Sequence, residues 1–152
     1  MREPIVSRIL RYSLYLVFMM ALLITITMPM MIDTYFRWIY DVYSLRAGYR
    51  QFIMCFTMVV GFASAGALFE MILIMRSASA EPFIERNGKA LKRIGIIAML
   101  IAILFFAKCG WYVTFLTMVC GFIFLLGSLF AFTLAELFSR AVQFREENDL
   151  TI

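Results

Sequence analysis

Glu70 and Glu136 are the side chains of this chain best placed to do chemistry, because each stands near the end of a long apolar run. An ionisable group at membrane depth is costly to keep there, so by default it marks a ligand, ion or proton site. Position also admits a plainer role. Glu70 lies six residues before Arg76 and Glu136 four before Arg140, so each is within about one or two helical turns of a basic boundary residue. A carboxylate at that depth can snorkel or pair locally, and Glu136 with Arg140 has the i,i+4 spacing of a helical ion pair. Two readings stand side by side: interfacial stabilisation, or a polar latch or ligand site where the second and fourth helices present both glutamates to one vestibule facing the cytoplasm.

Other reactive residues are sparse. There is no histidine, and Cys55, Cys109 and Cys120 show neither a Cys-x-x-Cys motif nor zinc-ligand spacing. Cys55 and Cys109 both fall toward one boundary, where an oxidising exterior would permit a disulfide and a thiol oxidoreductase could be imagined. Cysteine is equally an ordinary small buried residue. The chain has no glycine-rich phosphate loop, no Gly-x-Ser-x-Gly elbow and no nucleophile set beside a base. The sequence therefore points away from an enzyme and calls for no cofactor and no metal. The twelve methionines read as apolar filler rather than a copper path.

The elements that must position these residues follow from composition. At 152 residues, 64% hydrophobic and with mean hydropathy +0.91, the chain has too few polar side chains to clothe a water-soluble globule of this size. Its solvent must be largely lipid. Residues 12–32 carry no charge before Asp33 and suffice to cross a hydrocarbon core of about 30 Å. They exceed a signal-peptide core and lack a small-residue cleavage site, so they read as a retained span. Residues 52–75 form a second span, interrupted only by Glu70. The apolar stretch from Ile94 to Ala135 is about twice the length of one span, and Lys108-Cys109-Gly110 breaks it into a hairpin of spans near 91–107 and 112–135. The third span is the shortest and must borrow Leu91 or hairpin residues to reach across. The expected architecture is all-α: one integral membrane four-helix bundle, with an outer loop at 33–51, a cytoplasmic loop at 76–90 and a cytoplasmic tail at 136–152.

Charge orients it. Ten basic residues (Arg2, Arg8, Arg11, Arg76, Arg86, Lys89, Lys92, Arg93, Arg140 and Arg145) fall on one side, against four (Arg37, Arg46, Arg50 and Lys108) on the other. The positive-inside rule then places both termini and the central loop in the cytoplasm. Tyr35, Trp38, Tyr40, Tyr43, Tyr49, Trp111 and Tyr112 gather at the opposite boundary as an interfacial belt. Topology accounts for the basic residues, so nothing indicates direct nucleic-acid binding.

Small residues suggest how the spans pack. Helix two carries Gly61 and Ala65 four apart, and helix four carries Gly121, then Gly127 and Ala131 at the same spacing. Such residues let backbones approach closely. They suit a pairing of helix two with helix four inside one bundle, and the same spacing would serve a homodimer.

The central loop contains Pro82, which can open a helical turn, then Phe83, and Asn87, which can cap the next helix; Lys89, Lys92 and Arg93 suit anionic headgroups as well as a positive-inside anchor. The chain ends in Glu146, Glu147, Asn148, Asp149, Leu150, Thr151 and Ile152, an acidic segment able to meet a basic protein surface. In Pro82-Phe83, Asn87, Leu91 and Lys92-Arg93-Ile94-Gly95, and in Glu147 with Asp149-Leu150-Thr151-Ile152, the chain resembles the YoaS-like family of small bacterial four-span membrane proteins, a domain of unknown function. The resemblance implies a bacterial inner membrane and, because such genes commonly lie beside one for a small Cro/C1-type helix-turn-helix regulator, a regulatory cytoplasmic partner.

The expected function is then non-enzymatic: binding or sequestering that regulator through Glu146, Glu147, Asp149, Leu150 and Ile152 together with Pro82, Phe83 and Asn87. The alternative is a small-ligand receptor, transporter or immunity-type protein built on a cavity near Glu70 and Glu136.

Overall fold

A computed structural model describes residues 5–39, 48–78, 85–110 and 113–149, and all of its regular structure is helical. Four helices follow in chain order: α1 (Ile5–Ile39), α2 (Tyr49–Ala78), α3 (Glu85–Cys109) and α4 (Phe115–Asp149). Each is long and apolar enough to cross a membrane. Leu16, Leu23, Phe62, Leu100, Leu126 and Phe130 are among the many large apolar side chains left exposed, which suits lipid rather than water as the surrounding medium. Both observations support a multi-pass membrane protein.

The elements are longer than the apolar runs alone indicate. Helix α3 begins at Glu85, so the charged segment ahead of Ile94 is already helical. Its 25 residues rise about 37 Å at 1.5 Å each, enough to span without borrowing from the hairpin. Asn87 accordingly lies within the first turns of α3 and does not cap it. Pro29 sits inside α1 and removes one backbone donor from that helix. Several threonine hydroxyls in the spans are satisfied within their own helices: Thr25 Oγ1 donates to the Ala21 carbonyl at 2.7 Å and Thr57 Oγ1 to the Ile53 carbonyl at 2.7 Å. A polar group facing hydrocarbon has no water to turn to, so such back-bonding is how these residues are tolerated. Ahead of α2, Gly48 takes φ +88°, a backbone conformation that suits glycine, and its carbonyl accepts from Phe52 N at 3.0 Å.

Packing runs in chain order. Helix α1 lies on α2, α2 on α3 and α3 on α4, with the last pair the most extensive; among the described residues α1 and α4 share no contact. The buried side chains concentrate on α3 and α4, with Ala90, Ile101 and Ala102 on α3 and Thr117, Ser128, Ala131 and Ala135 on α4. Ser128 Oγ donates to the Gly95 carbonyl at 2.8 Å, and a Cβ on Gly95 would meet the Phe132 ring at 3.0 Å. The two backbones are therefore drawn together where glycine leaves room.

The expected pairing of helix two with helix four does not form. Gly61 of α2 receives Thr25 of α1, and Gly121 of α4 receives Phe106 of α3 at 3.2 Å from the position of a Cβ. Ala65 and Ala131 are buried, whereas Gly127 is exposed with nothing within 4 Å of an added Cβ. The physical reason is connectivity: short links make consecutive antiparallel helices neighbours, so Gly61 and Gly121 each meet a branched or bulky side chain on the helix that precedes theirs in sequence. Aromatic contacts follow the same order. Phe56 of α2 meets Phe105 of α3 edge-on at 5.3 Å between ring centres, and Phe105 stacks on Phe124 of α4 at 5.7 Å.

A Cβ on Gly61 would lie 2.5 Å from Thr25 Oγ1. Gly61→Ala should therefore destabilise the folded chain by about 1–3 kcal/mol in detergent unfolding. Adding Thr25→Ala should recover most of that loss; no recovery would place the strain elsewhere.

Candidate functional site

The helices are tied by different polar contacts at their two ends. At the end carrying the Phe115 terminus of α4, Asp33 of α1 and Arg50 of α2 form an ion pair. Lys108 of α3 places its ammonium 5.3 Å from the Phe56 ring centre and 3.4 Å from Thr117 Oγ1, reaching both α2 and α4. Lys108, expected in the hairpin and among the four basic residues of that side, thus joins three helices through a cation held over an aromatic face.

At the opposite end, Arg93 of α3 grips Glu70 of α2 with both prongs of its guanidinium, Nε to Oε1 at 2.8 Å and Nη2 to Oε2 at 3.0 Å. The Glu70 side chain is only 16% exposed. A carboxylate so sheltered gains most from a planar, two-pronged donor, which is the geometry arginine provides and lysine lacks. Nearer the helix ends, Ser77 Oγ donates to Asn87 Oδ1 at 2.5 Å. The helical register makes both contacts available at once, since α2 and α3 run antiparallel and Glu70 and Ser77 are about two turns apart.

Beside this latch, on the other flank of α3, a groove of ≈ 640 Å³ opens between α3 and α4. Glu85, Lys89 and Lys92 line it from α3, and Phe132, Glu136 and Ser139 are among its residues from α4. Glu136 pairs with Arg140 on its own helix, and both side chains are 65% exposed. The two glutamates therefore do not share a vestibule between α2 and α4. Glu70 belongs to the α2–α3 seam and Glu136 to the α3–α4 groove, because α3 packs on both neighbours and stands between them.

The remaining expected site residues separate similarly. Asn87 is 1% exposed, so it fastens two helices and offers no surface to a soluble partner. Glu147 is exposed on α4. Glu146 and Asp149 belong to the same helix. Pro82, Phe83, Leu150 and Ile152 lie outside the described residues, as do Tyr40, Tyr43, Trp111 and Tyr112 of the expected aromatic belt. Cys55, Cys109 and Cys120 are free thiols. Among the described residues no three His, Cys, Asp or Glu side chains gather as a metal-ligand set.

A family model described as "Protein of unknown function (DUF2975)" matches residues 32–152. The chain belongs to this family. The DUF2975 match takes in α2, α3, α4 and the last part of α1, and so includes both the latch and the groove. No curated protein and no solved structure matches the chain.

Sequence reasoning treated Arg93 as one of several anchoring cations and did not join it to Glu70. The available signal was an acidic and a basic residue at similar depths on consecutive antiparallel helices. Ser77 and Ser128 had no distinguishing sequence context, and only their partners on α3 reveal what they do.

Glu70→Gln and Arg93→Gln should each lower the resistance of the chain to unfolding. The double variant should be less destabilised than the sum, with a coupling of about 1 kcal/mol or more in a double-mutant cycle. Additive losses would mean that the two groups do not stabilise one another.

Proposed function

We propose that this DUF2975 protein is a non-enzymatic component of a bacterial inner membrane, with both termini in the cytoplasm, that binds or sequesters a small soluble transcription regulator. The observation that carries the reading is the length of α4, which continues without interruption to Asp149. From Glu136 onward it continues for about 21 Å at 1.5 Å per residue, as a helical arm whose sequence includes Glu146, Glu147 and Asp149. A rigid acidic arm that leaves the bilayer suits capture of a basic surface, because charge complementarity speeds encounter and selects among partners. Leu150 and Ile152 follow the acids and supply apolar anchoring in this reading. The resemblance to YoaS-like proteins, whose genes commonly neighbour a helix-turn-helix regulator, supplies the class of partner.

Two earlier features contribute less. Asn87 is committed to the α2–α3 latch, so the central-loop contribution falls to Pro82 and Phe83. A ligand cavity between α2 and α4 loses support, since Glu70 and Glu136 lie on opposite flanks of α3.

Crosslinked pull-down from native membranes, comparing the full chain with one truncated after Arg145, tests the proposal. The full chain should recover a small helix-turn-helix protein and the truncated one should not. Replacing Glu146, Glu147 and Asp149 with their amides should weaken that binding by about tenfold at low salt and flatten its salt dependence. Absence of a soluble partner, or recovery indifferent to the tail, would overturn the reading.

A further inference from the structure

The α3–α4 groove has a composition that neither the latch nor the acidic arm explains. Its polar wall carries two charges of each sign, Lys89 and Lys92 against Glu85 and Glu136. Its apolar lining includes Phe132, Ala135 and Phe138. Its volume of ≈ 640 Å³ is that of a site for a small organic group. Lys89 is tied to Glu85 at 2.8 Å and Glu136 to Arg140 at 2.5 Å, both as exposed i,i+4 pairs. Such pairs contribute little and exchange readily for a better partner. Among the described residues Lys92 forms no ion pair, so the groove already holds one cation with nothing to neutralise it.

Depth narrows the class of occupant. Lys92 stands two residues before Ile94, where the apolar run of α3 begins, and Ala135 ends the apolar run of α4. The groove therefore straddles the boundary between hydrocarbon and headgroups, the level at which basic pockets between helices take lipid headgroups. A headgroup bearing a phosphate alone would satisfy the lysines but set its charge beside Glu85 and Glu136. One bearing both a phosphate and a primary ammonium would satisfy both walls. The ammonium has three N–H donors for a carboxylate, which a trimethylated choline lacks.

We propose that this groove holds the headgroup of an aminophospholipid of the phosphatidylethanolamine class, with Lys92 and Lys89 taking the phosphate, Glu136 the ammonium, and Phe132 the first part of an acyl chain. The site is independent of regulator binding by Glu146, Glu147 and Asp149, which follow Gln143, the last groove residue of α4. Occupancy would brace α3 against α4 at the point where their buried seam opens.

Native mass spectrometry of the full chain, delipidated in detergent and titrated separately with phosphatidylethanolamine, phosphatidylcholine and phosphatidylglycerol, tests this. The wild type should retain phosphatidylethanolamine at least about fivefold more tightly than either of the others. The Lys92→Gln/Glu136→Gln variant should lose that preference. Gly88→Leu provides a second variant that narrows the groove from a position where an added Cβ meets nothing closer than 3.6 Å. It should lose the preference too while keeping the wild-type helical content, so the test survives if the charge variant does not fold. Equal retention of all three lipids would mean ordinary annular lipid and would overturn the proposal. So would a preference for phosphatidylglycerol, or a phosphatidylethanolamine preference that a folded variant leaves unchanged.

Discussion

Helices this apolar, with lipid on most of their surface, gain little from hydrophobic burial against one another, so close backbone approach and a few polar contacts must hold them together. The molecule shows that constraint at each seam. Gly61 admits Thr25 between α1 and α2, Gly95 admits Phe132 between α3 and α4, and Ser128 bonds the Gly95 carbonyl at the same place. Where no small residue opens a gap, rings fill it, as Phe56, Phe105 and Phe124 do from α2 through α3 to α4. The role of α3 follows from this. It is the helix with close packing on one flank and a two-pronged ion pair on the other.

The two ends of the molecule are fastened by different means. Lys108 joins α2, α3 and α4 through one flexible side chain, with the ring of Phe56 and the hydroxyl of Thr117 as its partners. Glu70 and Arg93 join α2 to α3 through a directional pair whose acid is largely sheltered. Breaking such a pair from one side leaves a charge with poor solvation, which is costlier than losing an exposed contact. The i,i+4 pair of Glu136 with Arg140 belongs to the exposed class, and that leaves it available to another partner. Two glutamates with similar sequence surroundings thus acquire opposite characters, one committed to architecture and one facing a groove.

Membership in DUF2975 ties the chain to a family without assigning it a reaction, so its function has to be approached through the surfaces that the helices leave unused. Two such surfaces lie at the end carrying the α4 extension. The end of α4 carries Glu146, Glu147 and Asp149 in its sequence, and in the proposed reading it leaves the bilayer to meet a basic soluble partner. The groove beside it mixes both charges with apolar side chains, which is the composition the proposed lipid headgroup requires. Their distinct charge patterns suit distinct occupants, and a lipid seated in the groove would steady the base from which the arm extends.

The number of helices and their apolar character were legible from sequence, because spanning length and composition are properties of a continuous stretch of chain. The pair Glu136 with Arg140 was equally legible, being local to one helix. Helix ends were less so: α3 begins at Glu85 and α4 continues to Asp149 because polar residues extend a helix into the interface as readily as apolar ones fill its span, leaving no break in hydropathy to mark the end. Partner choice was not legible at all. Small-residue spacing says that a face can be approached closely, and it is identical whichever helix approaches. Only the tertiary structure decided that Gly61 meets α1, that Asn87 is buried against Ser77, and that α3 separates Glu70 from Glu136. These are contacts between distant parts of the chain, set by shape and connectivity together, and a single helix face carries no record of its partner.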